Sequence, residues 1–454
     1  MHHYEYIGFV GCYTSAGQAD PFESSHGGVL HDRTKIGKGV LAIAVDTTGT
    51  LSFLNDGKPV ITSEEVENPS YLCILERSND EDSISTTTNK HRSADIRTGG
   101  LCVVSEVPDG RIAMYSLNRC DDETTSQSSC STENKQIQVC PVVTNNCSPL
   151  MTGGSYPCHI INSNTNDFEC LIVSNYGDKL GVLSVFALAN GTIKRPITIA
   201  FGSGSNVDPI RQGTSHAHST CIMVQPPKLD SSPTMDICCA DLGSDAIVQL
   251  SIHHTKEENS TNNSLKFVEC GRTLAPPGSG PRSIMFNPVI TDIAIVSLEM
   301  TAQIWLIRRS TQQIGGQFTT LGEQISLLPD NWPSTNDAAY EYNKGRWASD
   351  AVWSPCGRFV YAAARLHNSV SVFRLSSTNT SLEFVQRVFT NGLTPRCLCM
   401  SDCGRFIIIA HQHSHDVSSF LRNDSDGTIS FIDRLEAPNA ACVKLIRPDQ
   451  IGRR

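Results

Sequence analysis

Short runs of β-branched and aromatic residues, bounded by Gly, Pro, Asn and Asp, recur about every ten residues along the chain, and no long amphipathic helix interrupts them. The pattern predicts an all-β protein. Its clearest repeat lies late in the chain, where SPCGRFVYAAARLHNSVSVFRL (354–375) lines up with SDCGRFIIIAHQHSHDVSSFLR (401–422). Each reads as turn, strand, tight connection, strand. A short lead-in precedes each unit, WASDAVW and TPRCLCM, and comparable lead-ins occur as NPSYLCI, YPCHIIN, HAHSTCI, GPRSIMF and NAACVKL. With Ser70, His159, His218, Arg282, Asp350, Arg396 and Ala441 as equivalent points, the spacings are 89, 59, 64, 68, 46 and 45 residues. The shortest match one four-stranded propeller blade.

The longer spacings contain polar stretches without apolar periodicity near 16–35, 78–98 and 118–135, which read as disordered surface insertions, and shorter ones at 256–264 and 331–343. Seven lead-ins precede only six complete units, because after Ala441 there is room for a single strand. Three strands stand unassigned at the other end, in YEYIGFVGCYT, GKGVLAIAVD and TLSFLNDGKPV. If they pair with the last strand, the ring closes as a composite seventh blade without a free edge. The expectation is one β-propeller domain over 1–454.

Charge narrows the partners. With 36 basic and 46 acidic residues the net charge is −10, and no basic stripe is available to neutralise a nucleic-acid backbone. Neither a signal-like start nor an apolar run of membrane-spanning length is present, so the expectation is a cytoplasmic protein with no membrane partner. The 18 cysteines include no CxxC pair and many sit inside apolar runs, as in DICCADLG, which reads as reduced core thiols.

Chemistry concentrates in RQGTSHAHS, from Arg211 to Ser219. In an extended segment His216 and His218 project to one side, and an arginine beside two imidazoles suggests an anion site with a proton carrier. A second cluster, His411, His413 and His415, alternates along HQHSH and could bind zinc. That segment aligns with ARLHNS of the preceding unit, near a strand-to-strand connection where polar residues are expected, and it is read as structural.

Aligned by its lead-ins, nearly the whole chain resembles the lactonase family of seven-bladed propellers, which includes propeller-type 6-phosphogluconolactonases and carboxy-muconate cyclases. The resemblance rests on YIGFVGCYT, NPSYL, YPCHI, SNYGDKLGVLSVF, RQGTSHAHS, CADLGSD, PPGSGPRSIMF and TPRCLCMSDCGRF in that order. It implies a polar cleft at one mouth of the central channel and no cofactor or metal. By the same resemblance His159, Arg211, His216, His218 and Arg282 match family positions, and Glu299 stands where the family often has Asn-Glu. Arg396 matches a late arginine, with Cys397 in place of the family's glycine, and Asn175, Tyr176 and Asp241 belong to the SNYG and DLG segments.

Opening a lactone needs a base for the attacking water and positive groups where the oxyanion develops. His159 or His218 could be the base, or Glu299 if burial raised its pKa. Arg211, Arg282 and Arg396 suit a phosphate or carboxylate. Of the remaining positions, His216, Arg396, Asn175 and Asp241 are expected to bind substrate. The expected partner is therefore a small anionic lactone, first 6-phosphogluconolactone of the pentose phosphate pathway. A carboxy-muconate cycloisomerase and a non-catalytic interaction propeller are the alternatives.

Overall fold

A computed structural model of the protein describes residues 4–15, 35–75, 100–119, 137–141, 149–165, 168–189, 192–193, 195–223, 234–256, 263–310, 317–332 and 346–453. The sequence-predicted insertions at 16–35, 78–98 and 118–135 lie almost wholly outside these residues. So do most of 256–264 and 331–343. The described residues form seven sheets of four or more strands, antiparallel but for one short parallel pair, with two short 3-10 turns and no α-helix.

Blades one to seven are numbered by their innermost strands: Pro69–Leu75, Pro157–Thr165, Ala217–Ile222, Pro281–Phe286, Ala348–Trp353, Pro395–Met400 and Ala440–Ile446. Burial across each blade explains the hydrophobic pattern. Second strands such as Ile293–Leu298, Phe359–Ala364 and Phe406–His411 are buried at every residue, because a neighbouring blade covers each face, and they read as unbroken apolar runs. Outermost strands such as Leu382–Phe389 carry mostly exposed or half-buried positions.

The seventh blade is composite, as the unassigned strands require. Its innermost strand comes from Ala440–Ile446, and Tyr4–Cys12 pairs with it from Ile7↔Ile446 to Gly11↔Cys442, followed outward by Gly39–Asp46. Gly11 permits the approach to blade one: a Cβ there would lie 2.4 Å from the Pro69 carbonyl oxygen, which is backbone and cannot swing aside. The sequence did not signal one further contact. Beyond the closing strand, Gly452–Arg453 pairs in parallel with Asn118–Arg119 of blade one, and Ile451 is buried beside it.

Candidate active site

Two recurring positions build the site. In every blade the ladder between the first and second strands slips after its first pair, leaving an extra residue on the innermost strand. The residues at these bulges are Ser70, Cys158, His218, Arg282, Ser349 with Asp350, Arg396 and Ala441. A bulge bends the strand and re-aims a side chain, and Cys158, His218, Arg282, Asp350 and Arg396 all border the channel cavity. One sequence equivalence is corrected here. The bulge of blade two holds Cys158, and His159 lies one step further along the strand, because the register skips from Pro157 to His159.

The second position directly follows each second strand, at the same end of the channel: Glu106, Tyr176, Leu242, Glu299, Arg365, Gln412 and Tyr13 in blades one to seven. Sequence reasoning aligned the lead-ins and left this column unread. The signal was present as the residue that ends each apolar run, in VVSE, IVSNY, IVSLE, YAAAR and FVGCY.

Glu299 is the centre of the cluster, almost fully buried at 2% exposure. The Arg211 Nη2 donates to its Oε1 at 2.5 Å, Arg282 Nε approaches Oε2 at 2.8 Å, and Arg365 Nη1 lies 3.9 Å from Oε2. Burial alone would raise this carboxyl, but Arg211, Arg282, Arg365 and His218 outweigh it and hold Glu299 well below the usual carboxylate range. The idea that burial makes Glu299 a raised-pKa base is therefore corrected: it is an ionised anchor for guanidinium groups. The Trp347 ring lies within 5.5 Å of Arg211 and 5.4 Å of Arg365, and its carbonyl accepts from the Arg365 backbone N–H at 2.7 Å. A pinned turn lets Arg211 reach inward. Asp208 accepts from the backbone N–H groups of Ile210 and Arg211, and the Gln212 amide donates to Asp245 and the Leu242 carbonyl.

Arg211, His216 and His218 meet at Tyr176. His216 stacks on its ring at 4.1 Å with Nδ1 3.0 Å from the Tyr176 carbonyl oxygen, His218 faces the ring edge-on at 5.9 Å, and Arg211 donates to its hydroxyl at 3.4 Å. Burial lowers the pKa of both histidines, His218 well below the ordinary value with Arg282 adding to the effect, so His218 is neutral at physiological pH. Deeper in the channel, burial with Lys444 and Arg282 nearby pushes His159 down to about 3. Its Nδ1 accepts a long 3.4 Å bond from the Thr220 backbone N–H. That assigns the proton to Nε2 and makes His159 a donor toward the channel, whereas the His218 ring accepts no hydrogen bond among the described residues.

Two residues expected to bind substrate are occupied otherwise. Asn175, fully buried, donates to the Val182 carbonyl at 3.0 Å and the Ser184 hydroxyl at 2.9 Å. Asp241, also fully buried, accepts from the backbone N–H groups of His216 and Gly243 and from the Ser244 hydroxyl. Both shape turns that carry site residues.

Arg396 belongs to a second centre that the sequence reading missed. Its Nη2 donates to the Tyr13 hydroxyl at 2.5 Å, Tyr13 donates to Glu106 Oε2 at 2.6 Å, and Arg396 also lies 3.7 Å from Glu106. Burial holds the Tyr13 hydroxyl well above its ordinary pKa. The alternating histidines do not converge. The strand ends at His411, whose Nδ1 lies 2.9 Å from Asp416, while His413 meets the Thr394 hydroxyl at 2.7 Å and His415 accepts from the Asn439 N–H at 3.1 Å. No group of metal-binding side chains occurs among the described residues.

Comparison with known proteins agrees with this architecture. A 6-phosphogluconolactonase of Bacillus subtilis is 27% identical over 54% of this chain and 59% of its own, so the match spans under two thirds of that relative. An uncharacterised Lactococcus lactis protein is 26% identical over 80% of this chain and 82% of its own. The solved structure of a Pseudomonas aeruginosa periplasmic gluconolactonase superposes with a TM-score of 0.65 over 97% of this chain and 99% of that one, and its 21% identity shows the fold. The family model "Lactonase, 7-bladed beta-propeller" matches residues 9–445, and the chain belongs to that family.

Proposed function

We propose that the protein hydrolyses a small anionic sugar lactone, first 6-phosphogluconolactone. The observation that carries this reading is the pairing, on adjacent bulges at one end of the channel, of a neutral imidazole at His218 with a guanidinium at Arg282 braced by ionised Glu299. In this reading water attacks the lactone carbonyl and His218 takes its proton, while Arg282 stabilises the oxyanion. The same imidazolium then gives the proton to the departing ring oxygen, and its lowered pKa favours that release. The product is a hydroxy acid. The name of the Bacillus relative supports this substrate class.

Hydrolysis of freshly prepared 6-phosphogluconolactone, with the spontaneous rate subtracted, tests the proposal. The expected result is a clear rate that falls by about 100-fold or more in folded Arg282→Ala and His218→Gln proteins. Absence of a rate would reject it. Turnover of a carboxylated muconate in its place would assign the same imidazole and arginine to cyclisation.

A further inference from the structure

The channel cavity that His218 and Arg282 border has a volume of about 320 Å³ and has a further wall that no step above uses. Its walls carry Lys444 from blade seven, Tyr71 from blade one, His159 from blade two and Asp350 from blade five. Lys444 lies 4.4 Å from the centre of the Tyr71 ring and donates to the Tyr71 hydroxyl at 3.0 Å, and Tyr71 packs on His159 with ring centres 4.5 Å apart. The three side chains form one contiguous wall.

Lys444 is a half-buried ammonium on the cavity wall with a neutral partner. Among the described residues its hydrogen bond is to Tyr71 alone, and no carboxylate lies within the 4.0 Å of an ion pair. The cavity's acid, Asp350, accepts from the backbone N–H groups of Ala351 at 3.0 Å and Leu398 at 3.2 Å. An ammonium carries three donors and only one is used here. Lys444 is half-buried beside a neutral hydroxyl, and an oxyanion in the cavity would give it the charged partner it lacks. His159 adds a second donor, because its Nδ1 is the acceptor from Thr220 and leaves Nε2–H for the channel.

We infer that this cavity is an oxyanion subsite in which Lys444 and His159 hold the charged end of the ligand, a phosphoryl group, while the ring of bulges holds the rest. The inference rests on the lactonase reading for the identity of the whole ligand, but the anion subsite itself does not require turnover. It assigns the recognition of a phosphorylated over an unphosphorylated lactone to Lys444.

The experiment is calorimetric titration of the full chain with inorganic phosphate and with 6-phosphogluconate, alongside kcat/KM for 6-phosphogluconolactone and for unphosphorylated gluconolactone. Lys444→Met should weaken binding of both anions by about 10- to 100-fold and lower the phosphorylated-to-unphosphorylated ratio of kcat/KM by about tenfold or more. Tyr71→Phe removes the hydroxyl that aims the ammonium and should weaken both anions by a smaller factor. Equal affinities in the wild type and Lys444→Met, or no phosphate binding by the wild type, would overturn the inference. If Lys444→Met does not fold, unchanged affinity in Tyr71→Phe overturns it instead. Lysine-dependent phosphate binding without lactone turnover would reject the lactonase reading and leave the subsite standing.

Discussion

Glu299 shows how a buried carboxylate can act through its neighbours. It brings guanidinium groups from three blades to one point, Arg211 ahead of blade three, Arg282 in blade four and Arg365 in blade five. Removing one member of such a buried set leaves the remaining charges unpaired. Glu299→Gln should therefore lower the unfolding free energy by about 3 kcal/mol or more in denaturant titrations. An unchanged midpoint would show that the arginines do not depend on it. The histidines make a separate prediction. His159 is held near 3, and His216 and His218 are also lowered, so the unfolded chain binds protons that the folded chain does not. Stability is then full above the ordinary imidazole pKa and is lost as pH falls from about 6.5 toward 3, with a slope of up to about 1.4 kcal/mol per pH unit for each histidine. His159→Gln should make that slope shallower.

Repeated strand geometry turns seven similar sheets into one asymmetric site. All seven innermost strands carry the bulge, yet the residue placed there ranges from Ala441 to Arg396, so the backbone supplies positions and the sequence supplies chemistry at a few of them. The strands are also entered in a demanding conformation. Asn68, Tyr156, Gly280, Thr394 and Asn439, each just before an innermost strand, all have positive φ between 46° and 62°. Asn and Gly suit that region, whereas Tyr156 and Thr394 store strain of about 1–3 kcal/mol each. Thr394 is retained where its hydroxyl meets His413. Close approach between strands is equally specific. Gly11→Ala, which sets a methyl against the Pro69 carbonyl, should cost about 1–3 kcal/mol, read as a lowered thermal midpoint.

Closure makes the molecule a ring whose first described strand and last long one lie side by side. Without residues 440–454, Tyr4–Cys12 would lose its inner partner and present an unpaired edge to solvent. That truncation should abolish cooperative unfolding or drive aggregation. Removing only residues 448–454 takes away the buried Ile451 and the short parallel pairing with blade one, and should cost about 2 kcal/mol. If both truncated proteins melt like the full chain, closure through the seventh blade is not what stabilises the ring.

Strand pattern, lead-in repeat and the spare strands at the two ends were legible in the residues, because alternation, turn chemistry and blade spacing are local properties of a chain. His159, His218, Arg282 and Arg396 were legible for the same reason, as polar residues inside a repeated apolar segment. The roles within the site were not. Whether a carboxylate is a base or an anchor depends on which charges surround it, and the arginines around Glu299 come from positions up to 88 residues away. Tyr13 and Glu106 join Arg396 only because the ring closes, across 383 residues in the case of Tyr13. Lys444 looked like an ordinary residue of a final strand. Only the packing of seven innermost strands around one axis set its ammonium on the channel wall beside Tyr71 and His159, because solvation and electrostatic partnership belong to the folded ring rather than to any one segment.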